Sequence, residues 1–550
     1  MPSVSTHVAD TLSRHVDHVF GVMGNGNAYF IDALERSGSV QYTAVRHEAG
    51  AVVAADAYHR ASGRLAAATA TYGAGFTNTL TALAEAVQAH VPLILVVGDE
   101  PTSGPRPWDV DQIALASAVG ARTYTVGRAD AAATTAIAVE HALTYRVPTV
   151  LAIPYDVATR EAGPVPDAVP LALPAPIGPA GPFSRAAVAD AAAALASARR
   201  PVLLAGRGAW LASAGEALGE LATAVGALTT STALGRGVFP DERYDLGVAG
   251  GFGAEAAMET VREADVAVVF GASLNQFTMR FGDLFAPGTR VIQVDTAPAA
   301  THPHVGSYIR GDAGVVAELL VDELRTLDAS PSGWRESLDV AALRERPLGD
   351  GLAPDGRLDP RSAAARIAAL LPSDRVVISD GGHFIGWANM YWPVASPDRM
   401  LMVGTAYQSI GLGFPSVAGA ALAHPESIIV LTTGDGGGLM ALADLETAVR
   451  VAAGRGIAVV WNDAAYGAEV HLYGLKGLAQ EPMRIPEVDF AALAVAVGAQ
   501  GVVVRTPADL DVVADWAARL PSERPFLLLD LRVSGAVIAP YQEEIIRINS

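Results

Sequence analysis

The strongest constraint on the fold is a repeated alternation of short apolar runs with alanine-rich segments along the whole chain. Runs such as PLILVVG, VAVVFGA, RVIQVD and PFLLLDL are continuous in Val, Ile and Leu, and many of them end in Gly or Asp. Strands of a parallel sheet have this composition, because helices bury both faces of the sheet. The alternation therefore predicts an α/β protein built from doubly wound parallel sheets.

The length of the chain and two breaks in its pattern predict three domains in tandem. A chain of 550 residues exceeds what one hydrophobic core supports. Stretches rich in Pro and Gly at 163–183 and 344–360 interrupt the periodic pattern and read as linkers. We therefore expect a first domain at 1–165, a central domain at 183–343 and a third domain at 358–550.

Composition narrows the class of protein and its compartment. The net charge of −20 disfavours a nucleic-acid partner, and the absence of cysteine excludes disulfides and thiolate chemistry. The mean hydropathy is +0.30, but Gly, Pro, Asp or Arg interrupts every apolar run before the roughly 18 residues that a membrane span needs. The N-terminus reads as an amphipathic helix and a strand rather than a signal peptide. We expect a cytoplasmic enzyme acting on small molecules, with no membrane partner.

Polar residues follow two apolar runs of the third domain. The run SIIVLTT leads into the turn GDGGG with Asp435, and the run IAVVW ends at Asn462 and Asp463. In a right-handed βαβ unit both strand ends lie on one edge of the sheet, so these side chains should meet. Such oxygens suit Mg²⁺, and a glycine turn that opens a helix suits a diphosphate. A helix cap at Asp435 and a polar loop at 462–463 explain the pattern equally well.

These segments, taken in order, resemble one enzyme family. GDG followed some twenty-seven residues later by Asn-Asp resembles the cofactor signature of thiamine-diphosphate-dependent enzymes. RHEAGAVVAADAYHRASGR, TYGAGFTNTL, STALGRGVFPDE and TAYQSIGLGFPSVAGAAL resemble further family segments in the family's order. The whole chain is similar to the acetolactate synthase, pyruvate decarboxylase and benzaldehyde lyase branch. The resemblance implies a pyrimidine-binding, a central and a diphosphate-binding domain.

The resemblance implies a catalytic role for Glu48. This residue matches the glutamate that hydrogen-bonds N1′ of the aminopyrimidine and drives the 4′-amino group towards its imino tautomer. Such a carboxyl group needs an enclosed site. Read from the local sequence alone, Glu48 is an acid in the first turn of a helix, where it favours the helix dipole. In the family this glutamate reaches the cofactor of another subunit, so a homodimer or homotetramer is implied.

The metal ligands implied by the resemblance are Asp435, the carbonyl of Ala465 and one further side chain. Counting from Asp435 makes that side chain Asn462. Aligning NDAAYGA on the family's motif makes it Asp463, with one extra residue in the turn AAGRG. We prefer Asp463, because an insertion in a turn is easier to accommodate than one beside the cofactor.

Further residues are implied to surround the cofactor. Ile410 matches the bulky residue on which the cofactor bends, and the Gln408 carbonyl would accept from the 4′-amino group. The remaining implied cofactor-binding residues are Tyr72, Gly73, Asn78, Gly434, Gly436, Gly437, Tyr466, Gly467 and Ala468.

The substrate side offers four candidate residues. Asn25, in GVMGNGNAYF, matches the family's first active-site loop but does not titrate, and Gln112 matches a position that lyases and carboligases turn towards the cofactor. Glu469 and His383 are the candidates for acid-base work, and each is equally well explained as a surface group.

The expected reaction is thiamine-diphosphate- and Mg²⁺-dependent cleavage or formation of a carbon–carbon bond on a 2-oxo acid. We favour an acetolactate-synthase-like decarboxylating carboligase, because the paired histidines of pyruvate decarboxylases are missing from GDEPTSGPRPWDVDQ. A simple decarboxylase or a 2-hydroxyketone or diketone lyase is the first alternative. A flavin- or nicotinamide-dependent oxidoreductase and a non-catalytic scaffold are the others. FAD is not expected, because Asn275 and Gln276 stand where acetolactate synthases carry an R-F-D-D-like segment.

Overall fold

The chain folds into three six-stranded sheets in the computed structural model, which describes residues 1–168, 170–179 and 181–549. Val169 and Ala180, within the linker predicted at 163–183, and Ser550, at the end of the predicted third domain, lie outside the described residues. The prediction of three doubly wound parallel sheets is confirmed. The domain boundaries placed from sequence stay a prediction.

The first sheet has the strand order β2-β1-β3-β4-β6-β5, and its strands are parallel. Its strands are β1 (His18–Gly21), β2 (Gln41–Ala44), β3 (Ala67–Ala70), β4 (Ile94–Asp99), β5 (Arg122–Thr125) and β6 (Thr149–Pro154). Its helices are α1 (Val4–Leu12), α2 (Ala28–Ser37), α3 (Glu48–Ser62), α4 (Ala74–Thr77), α5 (Leu80–Gln88), α6 (Gln112–Ala118) and α7 (Ala131–Tyr145). The amphipathic N-terminal helix and the strand after it are present as predicted.

The central sheet has the order β12-β11-β10-β7-β8-β9. Its strands are β7 (Pro201–Ala205), β8 (Leu228–Ser231), β9 (Asp245–Val248), β10 (Val266–Phe270), β11 (Arg290–Asp295) and β12 (Val305–Arg310). Its helices are α8 (Gly181–Ser197), α9 (Arg207–Leu211), α10 (Gly215–Val225), α11 (Glu255–Arg262), α12 (Ala313–Thr326) and α13 (Val340–Leu343). The direction of strand progression changes between β7 and β10, as in dinucleotide-binding folds.

The third sheet repeats the strand order of the first, β14-β13-β15-β16-β18-β17. Its strands are β13 (Arg375–Ser379), β14 (Met400–Leu401), β15 (Ile428–Gly434), β16 (Gly456–Asn462), β17 (Gln500–Val504) and β18 (Leu527–Arg532). The helices of this part are α14 (Pro360–Leu370), α15 (Ile385–Tyr391), α16 (Gly413–Ala423), α17 (Asp435–Met440), α18 (Leu445–Val451), α19 (Gly467–Glu469), α20 (Phe490–Ala496), α21 (Val512–Ala518) and α22 (Pro540–Asn549).

The segment between β15 and β16 differs from the single helix that its sequence predicts. It consists of α17, a 3₁₀ turn at Leu442–Asp444 and α18. Three consecutive glycines in the first turn give α17 little helical propensity, so the helix is short and restarts after the 3₁₀ turn.

The first and third sheets share one compact unit, which comprises Met1–Pro174, Leu370–Ile385 and Leu401–Gly535. Helices α3 and α16 pack closely at its centre, where a Cβ atom on Gly419 would collide with the Ala54 carbonyl and lie 2.7 Å from the Tyr58 nitrogen. One hydrophobic core therefore contains residues of both sheets. The helix pair α3 and α16 therefore joins the two sheets.

The second compact unit holds the central sheet together with residues 386–400 and 536 onward. Tyr541 of α22 packs its ring against Phe252 and Phe277, at centroid distances of 5.2 and 5.8 Å. Arg236 donates to the carbonyls of Asn389 and Trp392. These contacts attach the two later segments to the central sheet.

No helix in the described ranges combines the length and the apolarity that crossing a membrane requires. The cytoplasmic location expected from the sequence stays a prediction.

Candidate active site

Asp435 and Asp463 lie side by side at the carboxyl edge of the third sheet. The register pairs Gly434 of β15 with Trp461 of β16, so the residues that follow each strand are neighbours. Asp435 Oδ1 accepts from the Gly436 amide at 2.9 Å, whereas its buried Oδ2 has no hydrogen-bond partner among the described residues. Burial, and then the Asp463 carboxylate, raise the pKa of Asp435 to about 7. Two adjacent carboxylates with one unused buried oxygen form a site suited to a cation.

Asn462 and Asp463 face different groups. The Asn462 amide donates to Asp530 Oδ1 at 2.9 Å and to the Val488 carbonyl at 3.0 Å, and its side chain is buried. Asp463 Oδ1 accepts from the Ala465 amide at 3.2 Å, and Oδ2 lies 3.2 Å from His383 Nε2. Of the two, Asp463 has its carboxylate beside Asp435.

The backbone after Asp463 is fixed by a short bridge to a neighbouring segment. Tyr466 donates to the Met483 carbonyl at 2.8 Å, and Ile485 donates to the Ala464 carbonyl at 2.9 Å. Neither of these hydrogen bonds uses the Ala465 carbonyl. Ala464 has a left-handed backbone with φ of 60°. The bend places the Ala465 amide within hydrogen-bond distance of Asp463 Oδ1.

The glycines of the GDGGG turn are required by their neighbours. A Cβ atom on Gly436 would lie 2.6 Å from the Tyr466 ring, and one on Gly437 would lie 2.9 Å from Asp380 Oδ2. A Cβ atom on Gly434 would lie 2.5 Å from the Phe384 ring. Larger residues would therefore displace the walls of this turn.

The described residues contain no group of three His, Asp or Glu side chains placed to hold a metal ion by themselves. The donors that the structure brings together here are two carboxylates, which leave other coordination positions of Mg²⁺ to ligand oxygens. Mg²⁺ is bound in this way in phosphate sites, through one or two carboxylates and the phosphates. The residues therefore fit a magnesium diphosphate unit.

His383 is held against this site. Its ring lies against the Phe384 ring, tilted by 42° with a centroid distance of 3.7 Å, and is 5.8 Å from the His471 ring. A Cβ atom on Gly467 would collide with the His383 ring, so the close approach needs a glycine. The structure thus places His383 beside Asp463 rather than on the open surface.

Glu469 and Ala468 lie in α19, one turn beyond Tyr466. Glu469 is exposed. His471 follows, buried, with Nε2 2.8 Å from the Gly535 carbonyl, and burial lowers its pKa. Of the two acid-base candidates from the sequence, His383 is enclosed and Glu469 is open to solvent.

The loop that carries Gln408 and Ile410 is anchored by Asp380, which the sequence analysis did not single out. Asp380 Oδ1 accepts from the amides of Gly381, Gly411 and Leu412 at 2.8, 3.1 and 3.2 Å. Its Oδ2 accepts from the Thr433 hydroxyl at 2.8 Å. The signal that could have found it is an acid directly after a buried strand, in VVISDGG.

A second buried carboxylate, Glu85 of α5, holds the same loop from the first sheet's side. Its Oε2 accepts from the Tyr407 amide at 2.7 Å and its Oε1 from the Ala406 amide at 3.4 Å. Arg60 bridges Glu85 at 3.0 Å, pairs with Asp56 and donates to the Met402 carbonyl at 3.1 Å. The loop is therefore fastened at both ends.

Between these anchors the backbone adopts an unusual conformation. Gln408 has φ of 57°, in the left-handed region, and is exposed. Ile410 is half-buried, and a Cβ atom on Gly381 would lie 3.0 Å from its Cγ2. A non-glycine residue in this region is strained, and the buried carboxylates on either side keep it there.

Glu48 is the first residue of α3 on the edge of the first sheet. The Nδ1 atom of the preceding His47 accepts from the Ala49 amide at 3.2 Å and caps the helix. Glu48 Oε2 accepts from the Asn78 amide at 3.0 Å, and a Cβ atom on Gly75 would lie 3.4 Å from Oε1. The structure thus brings the predicted residues Glu48 and Asn78 together.

The other predicted residues of this edge form a second cluster. Asn25 donates to the Tyr72 hydroxyl at 2.8 Å, and the Arg106 guanidinium lies 4.0 Å from the Tyr72 ring centroid. Gln112 is buried: its Oε1 accepts from the Gly73 amide at 3.0 Å, and its Nε2 donates to the Gly98 carbonyl at 2.9 Å. Gln112 therefore holds the Gly73 turn, with both its side-chain oxygen and its side-chain nitrogen hydrogen-bonded to the backbone.

The predicted residues form separate clusters on the edges of the first and third sheets. Among the residues that the structure describes, no hydrogen bond or ion pair joins Glu48 to Asp435 or Asp463.

Comparison with known proteins agrees with this division. The thiamine pyrophosphate enzyme N-terminal TPP-binding domain matches residues 2–118, the central domain of these enzymes matches 188–320, and their C-terminal TPP-binding domain matches 380–529. These ranges include Glu48, Asp435 and Asp463. The chain is a thiamine-pyrophosphate-dependent enzyme.

Full-length relatives narrow the class. The acetolactate synthase large subunit of Parasynechococcus marenigrum is 29% identical over 539 residues, covering 94% of this chain and 86% of that protein. That of Haemophilus influenzae is 27% identical over 554 residues, covering 95% and 93%. Sulfoacetaldehyde acetyltransferase of Rhodobacter capsulatus is 29% identical over 547 residues, covering 92% and 91%. The chain belongs to the acetolactate synthase family of these enzymes, a carboligase or decarboxylase class.

Proposed function

We propose that the protein decarboxylates a 2-oxo acid and joins the remaining acyl unit to a second carbonyl compound, as its acetolactate synthase relatives are named for doing. The observation that carries the proposal is the buried Asp435–Asp463 pair with its unused carboxylate oxygen. That pair fits the magnesium diphosphate end of thiamine diphosphate, which supplies the nucleophile and the electron sink for breaking the bond next to the carbonyl.

The assignment of residues follows from their contacts. Asp435, Asp463 and the Ala465 carbonyl hold Mg²⁺, and the turn Gly436–Gly437 leaves room for the diphosphate. We assign the metal to Asp463 rather than Asn462, because the Asp463 carboxylate lies close enough to Asp435 to raise its pKa, whereas the Asn462 side-chain nitrogen donates to Asp530.

Glu48 is the residue that moves a proton. It accepts a hydrogen bond from Asn78 on one oxygen and keeps the other for the aminopyrimidine N1′. Gln408 and Ile410 orient the opposite side of that ring, on a loop which Asp380 and Glu85 hold in place.

The choice of carboligation over aldehyde release rests on the groups around the substrate side. Asn25 is not an acid, and its amide binds the Tyr72 hydroxyl. His383 is occupied by Asp463. Glu469, which is exposed, is the remaining proton donor of the predicted set. With few donors at hand, capture of the acyl unit by a second carbonyl competes well with protonation.

The proposal includes assembly of two chains around each site. Glu48 and Asp435 belong to different edges of one compact unit and have no contact with each other. A second copy would supply the missing half, in a homodimer or a dimer of dimers. Sedimentation of the purified protein with and without cofactor tests this assembly.

We propose that catalysis does not use FAD. Asn275 stands in the segment where the resemblance would place flavin-binding residues. Its Oδ1 accepts from the Thr278 amide at 2.8 Å and closes a turn. A requirement for added FAD in the rate assay would contradict this, and a flavin that is reduced and reoxidised during turnover would support the oxidoreductase alternative.

The central experiment is release of CO₂ from a panel of 2-oxo acids, with and without thiamine diphosphate and Mg²⁺. We expect release that depends on both, together with a hydroxy-oxo acid product. Aldehyde as the sole product would identify a simple decarboxylase instead. No release from any acid would contradict the proposal and leave a lyase acting on a ketone, or a scaffold.

A further inference from the structure

A cavity of about 320 Å³ lies in the compact unit of the central sheet, apart from every residue assigned above. The ends of β8 and β9 form its floor, and the segments 236–239, 344–346 and 389–394 form its walls. Arg236 fastens one wall by donating to the carbonyls of Asn389 and Trp392, at 3.1 and 3.0 Å. Hydrogen bonds from a lining side chain therefore hold the wall of the cavity in place.

The Arg346 guanidinium in this cavity is a largely buried positive charge without a counterion. It donates to the carbonyls of Phe252 at 2.5 Å and Gly253 at 3.4 Å, and no carboxylate lies within ion-pair distance of it in the described part of the chain. Burial lowers the pKa of Arg346 to about 10. Buried charges are normally paired, because removing a charge from water is costly.

The other charged groups of the cavity leave an excess of positive charge. Arg236 and Arg344 line it together with Arg346, opposite the carboxyl groups of Asp245 and Glu242. Asp245 accepts from the Gly247 amide at 2.8 Å, and Arg344 makes no side-chain hydrogen bond within the described ranges. Three guanidinium groups against two carboxyl groups suit a ligand with one negative charge.

The uncharged part of the lining is mostly apolar, with Phe239, Leu246, Met390 and Trp392 among its larger side chains, and it also includes the polar residues Ser231, Asn389 and Tyr391. Phosphate has no apolar surface to place against these side chains, whereas an organic carboxylate with a hydrocarbon body does.

We propose that this cavity binds a small organic monocarboxylate, with its carboxylate at Arg346 and Arg344 and its apolar body between Phe239 and Trp392. The ligand is an effector or a second substrate-like acid rather than the group undergoing reaction, because Glu48 and the Asp435–Asp463 pair lie in the other unit. The site does not depend on the proposed reaction.

The test is calorimetric titration of the full-length protein without cofactor, using 3-phenylpropionate as the probe. This acid has no 2-oxo group, so it is not a substrate of the proposed chemistry. We expect saturable binding of one molecule per chain in the millimolar range or tighter. The uncharged alcohol 3-phenylpropanol and inorganic phosphate should each bind at least about tenfold more weakly, since each lacks one of the two features that the cavity recognises.

Variants separate this site from adventitious binding. Arg346→Met should reduce the affinity for 3-phenylpropionate at least about tenfold. Arg344→Gln, at an exposed position where folding is not at risk, should reduce it less. Arg243→Met is the matched control, since that exposed arginine is paired with Asp241 and does not line the cavity.

Three outcomes would overturn the proposal. The first is no saturable binding of the acid. The second is binding to both Arg346→Met and Arg344→Gln that is as tight as binding to the unmodified protein. The third is phosphate binding as tight as that of the acid. Because the assay measures binding without turnover, its result is independent of whether the protein has carboligase activity.

Discussion

The first and third sheets have the same strand order but carry different residues at the corresponding edge. In both sheets the first, third and fourth strands are neighbours, and the loops after them form the functional edge. After the third strand, the first sheet has the turn at Gly73 and the third sheet has Asp435. After the fourth strand, the first sheet ends at Asp99 and the third sheet continues into Asp463.

The two edges use their carboxylates in opposite ways. Asp99 Oδ1 accepts from the Glu100 amide at 2.9 Å and from Gln112 Nε2 at 3.1 Å, so it serves the fold and supports the Gly73 turn through Gln112. Asp435 keeps a buried oxygen without a partner. One topology therefore carries, after corresponding strands, a carboxylate that is hydrogen-bonded within the protein and a carboxylate with an unused buried oxygen.

The largest effect should come from Glu48→Gln. Glutamine keeps the shape and the contact with Asn78 but cannot share a proton with the aminopyrimidine, so turnover should fall by about 10²–10⁴-fold with cofactor affinity nearly unchanged. Glu318→Gln is the matched control and should cost far less, because Glu318 is exposed on α12 and is not among the predicted site residues. Steady-state rates and calorimetry of cofactor binding check both variants. Equal losses in the two would remove Glu48 from its role.

Asp435→Asn should weaken cofactor binding more than the matched substitution on the first sheet. Loss of a metal-binding charge should weaken Mg²⁺-dependent binding of thiamine diphosphate by about tenfold or more, whereas Asp99→Asn, the matched variant on the first sheet, should weaken it only slightly. Titration calorimetry with Mg²⁺ held in excess measures both. A larger loss of affinity in Asp99→Asn would contradict the assignment of the metal site to the edge of the third sheet.

The same variant has a pH signature in the cofactor-free protein. Burial first, and Asp463 second, raise the pKa of Asp435 to about 7. The neutral carboxyl group therefore contributes to the free energy of unfolding at low pH, and this contribution is lost as the pH rises through the folded-state pKa. At about pH 8 the cofactor-free variant should therefore have a higher Tm than the unmodified protein, and at about pH 6 the difference should shrink. Added cofactor and Mg²⁺ should reverse the order at about pH 8, since only the unmodified protein binds them well.

Much of this fold was predictable because its signals are local. Continuous apolar runs identify buried parallel strands, and acids directly after them identify the binding edge, so Asp435 and Asp463 could be found from the sequence. The βαβ argument could also place them together, since it depends only on connectivity. The break between α17 and α18 was missed, because the apolar periodicity continues through the 3₁₀ turn.

The supporting residues were not predictable in the same way. Asp380 and Glu85 act through hydrogen bonds to a loop that is distant from Glu85 by more than three hundred residues in sequence. Nothing in the local pattern around Glu85, which reads as an ordinary alanine-rich helix, indicates a buried ion pair with Arg60. Likewise, the hydrogen bond of the Asn462 side chain depends on Asp530, on a strand that follows much later.

Glu85→Gln tests whether the first sheet positions the loop of the third. The variant turns one carboxylate oxygen into an amide nitrogen, which repels either the Ala406 or the Tyr407 N–H, so the Gln408 loop should loosen and cofactor affinity should fall by up to about tenfold. Asp56→Asn removes a charge from the same buried cluster without touching the loop. Both should lower Tm, but only Glu85→Gln should weaken cofactor binding. An equal loss of affinity in both would show that Glu85 acts through stability alone.

The smallest effect on cofactor binding should come from Asn462→Ala. Its amide satisfies Asp530 and the Val488 carbonyl, so its loss leaves buried acceptors short of a partner and should cost about 1–3 kcal/mol of unfolding free energy. If Asp463 is the side-chain ligand, Mg²⁺-dependent affinity should change less than about threefold, whereas Asp463→Ala should lose at least about tenfold. Urea unfolding and calorimetry on the two variants measure both quantities. The opposite pattern, with affinity lost in Asn462→Ala and kept in Asp463→Ala, would assign the metal to Asn462.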